Sequence, residues 1–180
     1  MNEKTLIEAA LFAAEKHRLQ RRKSLLSIPY INHPLAVCYI LAQSGISSIN
    51  VLVAALLHDT IEDTETSPDE IANLFGNEVL KIVLEVTDDK TLNDKKRKEL
   101  QVIKAPQLSQ GAKLLKIADK ISNLKDILTH PMDWSNKRKK DYFLWSKQVF
   151  DGCKGINPQL DKLFEETYNE GIEKLSSLPD

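Results

Sequence analysis

Helical periodicity runs through nearly the whole chain, and it limits the fold more than any other feature of the sequence. Apolar residues recur at three- and four-residue spacing at Leu6, Ala10 and Ala13, at Leu35, Cys38, Leu41 and Ala42, and at Tyr142, Trp145 and Val149. No segment alternates as a half-buried strand would. Local chemistry marks the helix ends. In Ser67-Pro68-Asp69-Glu70, Ser67 can cap, Pro68 suits the first helical position and Glu70 completes a capping box. Asn32 before His33 and Asn157 before Pro158 have a similar look. Gly45, Gly76 and Gly152 each follow an apolar run as stop signals, and Pro131 ends the long segment that starts near Gly111. About eight or nine helices result, with long joins only from Arg18 to Tyr30 and from Asp88 to Lys98.

A chain of 180 residues is large enough to bury a core without disulfides. With no repeat, low-complexity tract or linker, the expectation is one compact all-α domain over residues 1–180. The net charge of −1, from 25 basic and 26 acidic residues, offers no general field for nucleic acid or an anionic membrane, so any anion must be bound locally. Cys38 and Cys153 lack paired spacing, and the N-terminus has no basic-then-apolar signal pattern. The expectation is a reduced cytoplasmic protein without a membrane span or an obligate protein partner.

The chain has four histidines, and His33 and His58 stand where Leu or Ala would more naturally pack. His58 follows the apolar run Val51 to Leu57 and is followed by Asp59, Glu62 and Asp63. On a continuous helix His58 would lie over Glu62 and Asp59 over Asp63. Three carboxylates at the end of a buried helix repel one another unless a cation compensates, and a divalent metal is the simplest one. Imidazole and carboxylate ligands suit Mn²⁺, Fe²⁺ or Zn²⁺, and the lack of a thiolate argues against structural zinc. Alternatively, His58-Asp59 is an ordinary helix end before a solvated acidic turn. A further polar pair, Asp119 and Asn123, shares one face of an otherwise apolar helical stripe.

His33 in YINHP, His58-Asp59 in LLHDTIED and Asp119 in KIADKISNL resemble the H…HD…D signature of the HD-domain phosphohydrolases. The runs RRKSLLSIPYINHPLAV, AALLHDTIEDT, EVTDDKTL and GAKLLKIADKISNLKDI extend the resemblance to the hydrolase domain of RelA/SpoT proteins, especially the small alarmone hydrolases. It covers nearly the whole chain. The resemblance implies an all-α HD fold and Mn²⁺-dependent hydrolysis of guanosine 3′,5′-bis(diphosphate), ppGpp, to GDP and pyrophosphate, with pppGpp giving GTP. It also implies His33, His58, Asp59 and Asp119 as metal ligands and Glu62 and Asp63 as the acidic pair that activates water. No sequence feature ranks that pair.

The small-molecule nucleotide needs local cations. Arg22 and Lys23 close the densest basic run before His33, and the resemblance singles them out, whereas Arg18 and Arg21 read as a solvated face. Asn123 is implied beside Asp119. Arg138 and Tyr142 resemble nucleotide-approaching residues, although Tyr142 equally fits an apolar stripe. The run Lys95 to Lys98 holds one useful cation at most, and Asn93-Asp94 departs from relatives that carry a basic residue thereabouts. His17 reads as packed or capping the first helix and His130 as a helix C-terminus, both outside the site. Two other readings fit the same scaffold: removal of the 2′-phosphate of NADPH, and a non-catalytic nucleotide-binding module.

Overall fold

The computed structural model describes residues 2–177. Residues 1 and 178–180 of the expected domain lie outside the described residues. The helices are α1 (Glu3–Lys16), α2 (Asn32–Gln43), α3 (Ile49–Leu57), α4 (Thr60–Asp63), α5 (Pro68–Phe75), α6 (Asn77–Val86), α7 (Asp94–Lys104), α8 (Gln110–Thr129), α9 (Asn136–Cys153) and α10 (Pro158–Ser176). Nine of these have eight residues or more, and α4 is a single turn. The described residues hold no strand beyond one antiparallel bridge, Arg21 to Pro29. Among them no helix is long and apolar enough to cross a membrane.

Two helices form the centre. Every residue of α3 from Val51 to Leu57 is buried, and α8 is buried continuously from Leu114 to Ser122. A helix enclosed on all sides needs neighbours all round, and α2, α3, α6, α9 and α10 surround α8. The buried apolar side chains form one cluster from Ala9 to Leu175. Cys38 and Cys153 are free thiols, and burial pushes both up to about 11.

Most end signals act as expected. Ser67 Oγ accepts from Glu70 N–H, and Asn157 Oδ1 accepts from Leu160 N–H while its Nδ2 donates to Ser44 O at the end of α2. Gly45 and Gly76 take φ of 79° and 84°, a region that favours glycine. Three expectations need correction. Glu70 does not close a capping box, because its carboxylate pairs with Lys16 of α1. Asn32 is the first residue inside α2, and no side chain caps that helix. Gly152 does not stop α9, which runs on to Cys153. A Cβ at Gly152 would sit 2.7 Å from Ala105 Cβ, so glycine permits helix contact there instead.

Candidate active site

The helix carrying His58 does not continue to Glu62 as one rod. It ends at Leu57, Asp59 sits near φ −99° and ψ −3°, and α4 restarts at Thr60, whose hydroxyl donates to Leu57 O. The expected stacking of His58 over Glu62 is therefore replaced by a turn that sends the side chains in different directions. Asp59 comes back onto the His58 ring, and Glu62 reaches outward to the loop after α6.

Three elements bring the His and Asp side chains together. His33, at the second position of α2, puts Nε2 3.1 Å from Asp119 Oδ1 and 3.7 Å from Asp59 Oδ2. His58 Nε2 lies 3.0 Å from Asp59 Oδ2 and 3.9 Å from Asp119 Oδ1. Ligating atoms of His33, His58 and Asp119 all fall within 4.8 Å of one another, and all three residues are buried. Ser122 Oγ lies 3.0 Å from His33 Nδ1, and Ala55 O lies 2.8 Å from His58 Nδ1. A carbonyl oxygen only accepts, so His58 Nδ1 carries a proton and Nε2 turns toward the carboxylates.

That Nε2 atom is buried without a well-directed hydrogen-bond partner. A bare lone pair facing carboxylates is repulsive, so the position calls for a proton or a cation. Burial lowers the His58 pKa, but Asp59 and then Asp119 outweigh it and raise the imidazole to about 9. Burial opposes ionisation of Asp59 and Asp119 too, yet His58 holds Asp59 low and Lys120 with His33 holds Asp119 low. Two imidazoles and carboxylates in one buried group are a donor set that can hold a divalent metal.

Within buried α8 each polar side chain finds a partner. Lys116 Nζ donates to Val86 O, while Lys120 Nζ donates to Asp119 Oδ2 at 3.0 Å and stands 4.3 Å over the Trp145 ring. Asn123 links two sides of the site: its Nδ2 donates to Asp119 Oδ1 at 2.7 Å and its Oδ1 accepts from Arg22 Nη2 at 2.6 Å. Arg22 Nε also donates to Asp126. Tyr30 Oη donates to Asp59 Oδ2 at 2.7 Å.

Two adjoining cavities meet this cluster. The inner one, about 210 Å³, is lined by His33, His58, Asp59, Asp119, Glu62 and Lys120 among others. The outer one, about 390 Å³, is lined by Arg21, Arg22, Lys23, Lys90 and Arg97 against Asp59, Glu62 and Asp63, with Trp134 and Tyr142 as aromatic walls. Five basic groups against three acidic ones suit an anionic ligand, and the aromatic walls suit a flat ring.

The two acidic candidates have different surroundings. Glu62 lines both cavities, accepts from Asp88 N–H at 2.9 Å and lies 3.5 Å from Arg97; burial raises its pKa. Asp63 lines the outer cavity, accepts from Gln20 Nε2 at 3.0 Å and pairs with Lys90. Arg22, Lys23, Asn123 and Tyr142 line both cavities. Tyr142 also packs between Trp134 and Trp145, so its stripe and cavity roles coexist, and burial pushes its phenol up to about 12. Arg138 is not among the lining residues; its guanidinium stacks 4.3 Å over Trp134. The basic run gives the inner cavity two cations, Arg97 and Lys98, where one at most was expected, and Asp94 pairs with both. Reading by residue type missed Tyr30, Lys120, Ser122 and Gln20. A usable signal existed for Lys120 and Ser122, since polar residues inside a stripe enclosed on all sides require partners.

An all-α fold with two histidines and two aspartates gathered from α2, the α3–α4 turn and α8 defines an HD-domain protein. The chain belongs to the HD-domain family, whose profile matches residues 9–142. Within that family it is 52% identical over 167 residues to guanosine-3′,5′-bis(diphosphate) 3′-pyrophosphohydrolase MESH1 of Mus musculus, covering 92% of this chain and 93% of the relative. The protein of the same name from Homo sapiens matches to the same extent. The solved structure of a metazoan ortholog of SpoT, which hydrolyzes ppGpp and plays a role in starvation responses, superposes with a TM-score of 0.90 at 41% identity, covering 94% of this chain and 97% of that one.

Proposed function

We propose that this chain is a Mn²⁺-dependent pyrophosphohydrolase that converts ppGpp and water to GDP and pyrophosphate, and pppGpp to GTP and pyrophosphate. The observation that carries the reading is the buried His/Asp group joined to a cavity with five basic side chains, in a chain 52% identical to a relative named for this reaction. Residues 1–180 are taken as one hydrolase domain, in keeping with the single buried cluster. The two free cysteines suit a reducing compartment, and the protein is assigned to the cytoplasm.

In this reading His33, His58, Asp59 and Asp119 hold Mn²⁺. When bound there, the metal supplies a lowered water pKa and neutralises charge on a phosphate oxygen. Glu62 is assigned as the base that accepts the proton of the attacking water, because it borders the cavity that the four ligands line and its raised pKa suits a proton acceptor. Asp63, facing the outer cavity, orients the reacting groups. The bond between ribose O3′ and phosphorus breaks, and O3′ takes a proton. Arg22 and Lys23 hold phosphate, Asn123 keeps Arg22 in register with Asp119, and Tyr142 walls the nucleoside. Arg138 acts on the cavity through Trp134.

The test is product analysis by ion-exchange chromatography after incubating the Mn²⁺-loaded protein with ppGpp; GDP and pyrophosphate are expected in equal amounts. Loss of phosphate from NADPH with no GDP formed overturns the substrate, and no reaction with either leaves a nucleotide-binding module.

Metal loading also has a proton signature. His58 is held protonated to about pH 9, and only the neutral imidazole ligates. Binding at pH 7 is therefore expected to release about one proton, and affinity should rise with pH until near that value. Calorimetry in buffers of different ionisation enthalpy reads the proton directly, and a release near zero at pH 7 would count against His58 as a ligand.

A further inference from the structure

His17 is a buried histidine outside the metal group, 2% exposed, at the C-terminal cap of α1. Its Nδ1 lies 2.6 Å from Gln20 Oε1, and Gln20 Nε2 donates to Asp63 Oδ2 at 3.0 Å. The direction of this chain follows from its far end. A carboxylate facing an amide can only accept, so Gln20 must present its NH₂ to Asp63 and its oxygen to His17. His17 Nδ1 must then carry the proton. Its Nε2 is buried without a partner. Gln20 is also held by its backbone: its N–H donates to His17 O at 2.9 Å and its carbonyl accepts from Tyr30 N–H at 3.1 Å. The one freedom left to this side chain is rotation about its own bonds, and His17 removes it.

We infer that His17 and Gln20 form a hydrogen-bond relay that positions the Asp63 carboxylate for turnover. The relay rests on the pyrophosphohydrolase reading above. His17 lines neither cavity; it is a positioning residue supplied by α1, acting through Gln20 on an acidic side chain of the outer cavity. Without the His17 proton the Gln20 amide can flip, turn its oxygen toward Asp63 and repel it. A simpler role for His17 is packing, since its ring lies 4.8 Å from that of Tyr30. The two roles give different results.

His17→Phe keeps a ring against Tyr30 and removes the donor; Gln20→Leu removes the middle of the relay. Each is expected to lower kcat about tenfold while KM stays within about twofold, the usual scale for losing an outer support of a site. His17→Asn, whose amide N–H can stand in for Nδ1, should recover kcat to within about threefold of wild type. In an Asp63→Ala background, which leaves Gln20 no acceptor, neither His17→Phe nor Gln20→Leu should lower kcat further, because a relay with nothing to position has no effect. An equal drop in that background, or no recovery with His17→Asn, overturns the relay and leaves packing. Gln20→Leu, on the half-buried segment after α1, carries the cycle if His17→Phe does not fold.

A measurement independent of turnover separates this inference from the substrate assignment. With diamagnetic Zn²⁺ in place of Mn²⁺, long-range ¹H–¹⁵N spectra of the wild-type protein should report His17 as the Nδ1-protonated tautomer. An Nε2-protonated ring overturns the relay, since Gln20 Oε1 cannot donate. If the wild-type protein yields no GDP, the substrate assignment falls and the tautomer alone decides the relay.

Discussion

Replacing Glu62 with Gln is expected to leave Mn²⁺ binding unchanged and to reduce turnover about 100- to 10,000-fold, the range over which a positioned general base contributes. The substitution keeps shape and the Asp88 N–H contact, because the amide oxygen can still accept, but it removes the carboxylate proposed to take the proton. Replacing Asp59 with Ala should behave differently. Asp59 Oδ2 lies 3.0 Å from His58 Nε2 and accepts from Tyr30, so its loss removes one of the four proposed ligands and half of the charge that opposes the two histidines. Metal binding and turnover should disappear together. Calorimetric titration with Mn²⁺ alongside single-turnover assays separates the two, and equal loss of metal in both variants would remove the division between ligand and base.

The largest effect on stability is expected far from the chemistry, at Gly171→Ala in α10. A Cβ at this position would stand 2.0 Å from Phe143 Cε1 and 2.4 Å from Cζ. The Phe143 ring is fully buried in α9 and is no flexible tip that could swing aside. Two effects compete. Alanine in a helix interior gains about 1 kcal/mol over glycine, whereas forcing extra volume into a packed core costs about 3 kcal/mol at the upper end of the usual range. The clash wins, giving a net loss of about 2 kcal/mol and a fall in Tm of roughly 4–8 °C for a chain of this size. Thermal unfolding followed by circular dichroism reads it, and an unchanged Tm would mean that α9 and α10 are not in contact at this point.

How much of this was legible beforehand depended on how local each determinant is. Ser67 and Asn157 cap helices three residues away, so their roles could be read directly, while the failure of Asn32 and Gly152 as boundary signals came from packing that no local rule contains. Position 152 lies inside α9 and is glycine because Ala105, on another segment, leaves no room for a side chain. Glu70 answers to Lys16, 54 positions earlier, and so leaves its capping box open. The side-chain types at His33, His58, Asp59 and Asp119 were conspicuous in apolar surroundings. Which of them meet could be inferred from resemblance alone.

The sequence by itself determined an all-helical chain, the approximate number of its helices and the residue types able to hold a metal. Helical periodicity and capping act over a few residues, and a charged group in an apolar stripe is visible without a fold. Tertiary structure decided the rest. It broke the helix at His58-Asp59, leaving Glu62 and Asp63 together on the outer cavity and Glu62, of the two, on the inner one as well; it set Lys120 against Asp119 and Trp145; and it joined Arg22 to Asn123 across 101 positions. It also made His17, at the helix end where it was expected, the start of a chain of hydrogen bonds ending at Asp63. Each of these depends on the direction of a buried polar atom toward a partner remote in sequence. That direction is set only when the helices pack and water is no longer available to satisfy the group.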